Sequence, residues 1–120
     1  MKYDFPVFGR LKRAGDARTA LVDWDFPKNR YRRVNGPSIT PLHRVLRILG
    51  IRHRFILLER TRKGWHGTIR LSRKLSPAEM VALQFAFGSD PRRETLNLRR
   101  AICAKRWHRR MNLLFKEKIR

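Results

Sequence analysis

Acidic residues are scarce in this sequence: nine Asp and Glu stand against thirty Lys and Arg. That shortage disfavours any surface that mimics DNA, and it leaves a formal charge of +21 with a pI near 11.9. Cysteine is nearly absent. The lone Cys103 excludes an internal disulfide and a multi-cysteine zinc site, so an intracellular setting, cytoplasmic or nucleoid-associated, is expected. Its placement in a basic helix reads as a half-buried thiol rather than a nucleophile, because no base is identified for it. No apolar run approaches the ~18 residues of a membrane helix, and the opening residues lack a signal peptide's long apolar stretch. No membrane partner is expected. The sequence has no phosphate-cradling glycine run, and His43, His53, His66 and His108 show no zinc spacing. Repeats and low-complexity segments are also missing. With 120 residues there is room for one core and one domain.

What is present is cationic charge in excess of what solubility requires. Charge of this density repels itself unless a polyanion neutralises it, and nucleic acid is the first candidate partner. Arg outnumbers Lys, which favours phosphate forks and stacking. The cations interleave with aromatics in three places: Lys28, Arg30, Arg32 and Arg33 around Tyr31; Arg60, Arg62 and Lys63 ahead of Trp65; and Lys105, Arg106, Arg109 and Arg110 around Trp107. Such interleaving suits single-stranded or structured nucleic acid, where bases stack and phosphates pair with guanidinium groups. Arg70 joins this set from a strand.

The order of elements predicts an α+β, ferredoxin-like (RRM-like) split βαβ fold: an antiparallel sheet with helices on one face. Residues 1–18 read as an N-terminal arm with a short strand at "FPVFGR", and 19–120 as the domain. Residues 20–25 alternate as a strand that Phe26-Pro27 ends. Thr40 as cap, Pro41, the helical spacing of Leu42, Val45, Leu46 and Leu49, and a Gly50 stop predict a helix. Residues 54–60 and 65–71 form a hairpin about Thr61–Gly64. Ser76 and Glu79 make a capping box ahead of Met80, Leu83, Gln84 and Phe87, with Gly88 as the stop. Asp90-Pro91 opens a third helix through Leu96, Leu98 and Ile102, and "MNLLFKE" predicts the last strand.

"TALVDWDFPKN" is the sequence's most unusual stretch, a close acidic pair in an apolar strand of a basic chain. Alternation sets Val22 and Trp24 on one side and Asp23 and Asp25 on the other. The hairpin's return strand sets Trp65, Gly67, Ile69 and Leu71 against His66, Thr68 and Arg70. Burying the apolar sets places both aspartates and His66 on the same, open sheet face. Carboxylates on alternate strand residues, ~7 Å apart at their roots, can share a divalent metal held by oxygen ligands.

"LVDWD" followed by "KGWHGTI" resembles the catalytic core of the archaeo-eukaryotic primase-polymerase superfamily, over residues 20–94. The resemblance implies an RRM-like core in which Asp23 and Asp25 bind Mg2+ or Mn2+ and His66, with Gly64, contacts the incoming nucleotide. It implies a third acid for the metal, echoed by Asp90 and Glu94 in "FGSDPRRE". The function so implied is a minimal primase-type nucleotidyltransferase. Plainer readings stand beside it. The aspartates pair with arginines, His66 is an ordinary strand residue, Asp90 is a helix cap, and Trp24 and Trp65 are core aromatics. In that case the protein is a non-catalytic RNA- or DNA-binding module, ribosome-associated or a replication accessory.

Overall fold

The alternation along residues 19–25 builds the central edge of the fold. In the computed structural model, which describes residues 11–25, 39–62, 64–104, 106–107 and 112–115, five strands and three helices are defined. In chain order they are β1 (Leu11–Ala14), β2 (Thr19–Asp25), α1 (Thr40–Leu49), β3 (His53–Arg60), β4 (Gly64–Leu71), α2 (Pro77–Ala86), α3 (Pro91–Ala104) and β5 (Leu113–Phe115). β4 lies between β2 and β3 and is antiparallel to both. β2 and β3 are therefore parallel, joined by a crossover that contains α1, which is the split βαβ plan.

One face of the sheet carries the main core. Ala20, Val22, Trp24, Ile69 and Leu71 pack against Leu42 and Leu46 of α1 and Met80, Leu83 and Phe87 at α2. Each buried side chain of this kind stabilises by about 1.5–3 kcal/mol. Trp24 lies over Gly67, where a Cβ would sit 2.5 Å from its ring. Its indole Nε1 donates to the Phe87 carbonyl at 2.9 Å, fixing the end of α2 to the sheet.

The helix boundaries follow local chemistry with one exception. α2 begins with the expected capping box of Ser76 and Glu79. α1 stops at Gly50 in the left-handed conformation (φ 66°), which glycine adopts without strain. Thr40, however, is not a cap. The helix starts one residue earlier than the threonine reading assumed, so Ile39 occupies the cap position, with no side-chain acceptor.

The fourth strand also departs from expectation. β5 is shorter than "MNLLFKE" and pairs antiparallel with β1 in a separate two-stranded sheet. The N-terminal arm therefore takes part in the domain through Leu11–Ala14, and "FPVFGR" (residues 5–10) falls outside the described residues. The outer edge of β2, where a fourth strand would complete the ferredoxin plan, receives other partners.

Candidate functional site

Strand parity brings Asp23 and His66 together. They are direct cross-strand partners of β2 and β4, and Glu59 of β3 is the next residue in the same row. Residues so paired project to the same side of an antiparallel sheet. His66 Nε2 lies 3.6 Å from Asp23 Oδ1, with side chains 7% and 30% exposed. Asp25 is opposite Gly64, and its side chain lies outside the described residues.

Over β2 and β4 the side of the sheet that carries this row is covered, against the open face the alternation predicted, while Phe55 and Leu57 of β3 on the same side are exposed. His66, Thr68 and Leu21 are all buried. The cause is visible in β2 itself: Ala20, Leu21 and Val22 are consecutive apolar residues, and a strand apolar on both sides is one covered on both sides.

Asp90 approaches the row through its backbone. Its N–H donates to the Asp23 carbonyl at 2.7 Å. Its carboxylate accepts from the Arg92 N–H at 3.2 Å, the contact of a helix cap at the start of α3. Glu94 points into the protein and is fully buried. Among the described residues no group of three or more His, Cys, Asp or Glu is placed to hold a metal ion. Asp23 and His66 alone offer one carboxylate and one imidazole, a thin donor set for magnesium, which prefers oxygen ligands in octahedral array.

The buried polar cluster around Glu94 was not foreseen from the sequence. Its carboxylate accepts from Gln84 Nε2 and Ser89 Oγ, both at 2.6 Å, from Asn97 Nδ2 at 3.2 Å, and from Arg93. The same side chains reach the outer edge of β2. Gln84 Oε1 accepts from the Leu21 N–H at 2.9 Å, Ser89 Oγ from the Asp23 N–H at 3.0 Å, and Arg93 donates to the Leu21 carbonyl at 2.9 Å. Asn112 donates to Gln84 at 2.7 Å and accepts from Arg93 at 2.9 Å. Side chains thus supply the hydrogen bonds that a fourth strand would have made. A signal was present: Glu94, Asn97 and Ala101 recur at helical spacing and share the buried side of α3.

No protein-family model, curated protein or solved structure matches the chain.

The predicted nucleic-acid contacts fall unevenly. Lys28, Arg30, Tyr31, Arg32, Arg33, Lys63, Lys105, Arg109 and Arg110 lie outside the described residues. Arg60, Arg62 and Arg106 are exposed. Arg70 is engaged: its NH1 reaches both Asp16 carboxylate oxygens at 3.2 Å and Thr19 Oγ1 at 2.8 Å. Trp107 is half-buried against Leu75, Val81 and Ala101, and its Nε1 donates to the Leu75 carbonyl at 2.9 Å. That packing makes it an anchor rather than the stacking platform expected, because an indole N–H beside a buried carbonyl is held by it. Cys103 is exposed, not half-buried. It lies on the outer side of α3, whose inner side is taken by the polar cluster.

An open apolar groove of about 450 Å³ runs between α1 and α2, lined by Val45, Ile48, Leu49, Leu75 and Leu83 among others, and contains neither Asp23 nor His66. No helix among the described residues is long and apolar enough to cross a membrane.

Proposed function

We propose that the protein is a nucleic-acid-binding module. The observation that carries this reading is the imbalance of thirty Lys and Arg over nine Asp and Glu in a chain with a packed α+β core. A folded domain of this charge is relieved of self-repulsion by a polyanion, and arginine-rich surfaces favour phosphate. Single-stranded or structured nucleic acid is the partner favoured by the aromatic residues among the cations. A ribosome-associated role and a replication accessory role both fit such a module.

The test is binding to DNA and RNA oligonucleotides across a salt series. Log affinity should fall linearly with log salt, with a slope near −0.7 per phosphate contacted on single strands. Affinity indifferent to salt would overturn the reading.

A second reading, metal-dependent nucleotidyl transfer of the primase type, draws support from the side-by-side placement of Asp23 and His66. It requires Asp25, and Asp90 or another acid, to complete a Mg2+ or Mn2+ site. Under this reading the protein incorporates nucleotides when Mg2+ or Mn2+ is supplied, and Asp23→Asn or Asp25→Asn abolishes incorporation while affinity for nucleic acid stays level or rises. Equal, background-level incorporation by the wild type and both variants would leave the binding module alone.

A further inference from the structure

We infer that the corner where α1 meets β3 is the surface that grips the phosphodiester backbone, an assignment that rests on the nucleic-acid reading above. Between Asp25 and Glu59 the sequence contains no acidic residue. Within that stretch the fold gathers four arginines: Arg44 and Arg47 on the outer side of α1, Arg52 in the link after it, and Arg54 in β3. All four are exposed.

The corner is held in shape by short-range features. Leu42 and Leu46 are buried, so Arg44 and Arg47, offset from them around the helix, project outward as an i, i+3 pair. The left-handed Gly50 reverses the chain, buried Ile51 returns it to the core, and the Arg52 carbonyl accepts from the Ser72 N–H at 2.8 Å. Arg54 sits at the register irregularity between His53 and Phe55, where a bulge re-aims a side chain. The rings of His43 and His53 lie 5.2 Å apart, joining the flank of α1 to the start of β3.

Other exposed cations, Arg92 and Arg99 among them, also lack an ion pair among the described residues. What sets the corner apart is that four such arginines stand together in the acid-free stretch. Among the described side chains the acids stand elsewhere: Asp16 with Arg70, Glu94 with Arg93, Asp23 with His66, Glu59 opposite His66 at the far end of β3, and Glu79 and Asp90 capping α2 and α3. Among the described residues none of the four corner arginines is ion-paired. Guanidinium forks fixed on a helix, a link and a strand, with no carboxylate to satisfy them, suit the regularly spaced oxygens of a nucleic-acid backbone.

The experiment compares two full-length variants of equal charge with the wild type. One carries Arg44→Gln, Arg47→Gln, Arg52→Gln and Arg54→Gln. The other carries Arg92→Glu and Arg99→Glu, which remove the same four units of charge at exposed positions of α3, on the β2 side of the sheet away from the corner. Binding of single-stranded and duplex DNA and RNA of mixed sequence is measured across salt, with far-UV circular dichroism and thermal midpoint as folding controls. The corner variant should bind on the order of a hundredfold more weakly at about 0.1 M salt, and its log–log salt slope should flatten by about 3. The control variant should lose less than about tenfold, through long-range attraction alone. Equal losses in both variants would overturn the corner while leaving the nucleic-acid reading intact. A wild type that binds no oligonucleotide, or binds only anionic lipid vesicles, would overturn the reading itself. Should the corner variant fail to fold, single Arg44→Gln and Arg54→Gln chains carry the same comparison, each expected to flatten the slope by about 0.7.

Discussion

α1 and α3 pattern their residues in opposite ways. α1 buries Leu42 and Leu46 and turns Arg44 and Arg47 outward, the usual arrangement for a helix on a core. α3 buries Glu94, Asn97 and Arg100 and leaves Leu98 37% and Ile102 61% exposed. Both helices belong to one domain, so the difference lies in what each must cover. α1 packs on the face of a sheet, where only side chains are presented. α3 begins beside the outer edge of β2, where backbone N–H and C=O groups are presented and a leucine would leave them unpaired. An apolar stripe suits a face; a polar stripe suits an edge.

The sharpest way to break this comparison is to remove the centre of the polar stripe. Glu94→Ala leaves the partly buried Arg93 charge and the Gln84, Ser89 and Asn97 groups short of a partner. It should destabilise by about 3–5 kcal/mol, read by urea unfolding at neutral pH. A cost below about 1 kcal/mol would mean that the cluster decorates the edge of β2 without holding it.

Truncating apolar residues on the two helices sharpens the contrast. Leu42→Ala on α1 empties a fully packed position and should cost about 2–5 kcal/mol. Leu98→Ala on α3, the same substitution in chemical terms, should lie within about 0.5 kcal/mol of the wild type. Equal costs would show that the outer side of α3 is packed in solution. The strand between the two regions offers a further probe. Gly67→Ala forces a Cβ into the Trp24 ring, which the Phe87 carbonyl holds in place, and should cost about 1–3 kcal/mol through overpacking. The thermal midpoint would drop accordingly, and a neutral result would show that the indole can shift.

The same contrast explains what the sequence made legible. α1, the hairpin and α2 were readable because apolar period, caps and stops agreed: Leu42 with Leu46, Ser76 with Glu79, Gly50 as terminator. The juxtaposition of Asp23 and His66 was readable from parity alone, because cross-strand register maps alternation onto a face. Burial was not readable from parity. Leu21, on the Asp23 side, was the residue that argued for a second cover, and the apolar set on the other side outweighed it. The orientation of α3 was not legible from its apolar residues, because Leu96, Leu98 and Ile102 stay exposed. The polar residues at helical spacing were the ones with an edge to satisfy. β5 was placed one sheet away from its position because periodicity identifies a strand without naming its partner.

A smaller effect separates the edge-side charges from the uncompensated corner. Burial raises the Asp16 carboxyl, but hydrogen bonds from the Arg18 N–H and Thr19 and the charge of Arg70 outweigh it, holding the group below its ordinary value of 3.8. A carboxyl depressed in the folded state stabilises above its unfolded value, and that contribution is lost as pH falls through the lower, folded one. Asp16 is mostly exposed, so solvent screening limits the pair to a few tenths of a kcal/mol. Asp16→Asn should therefore lower stability slightly at pH 7, and the gap to the wild type should close as both are acidified below the ordinary carboxylate range. It should also leave Arg70 without its carboxylate, so that a second, weaker cationic contact becomes available to phosphate. A modest gain in oligonucleotide affinity, smaller than the loss expected from any one corner arginine, would place counter-charge as the feature that decides which arginines bind. No gain would mean that Arg70 is turned away from the polyanion whatever its partner.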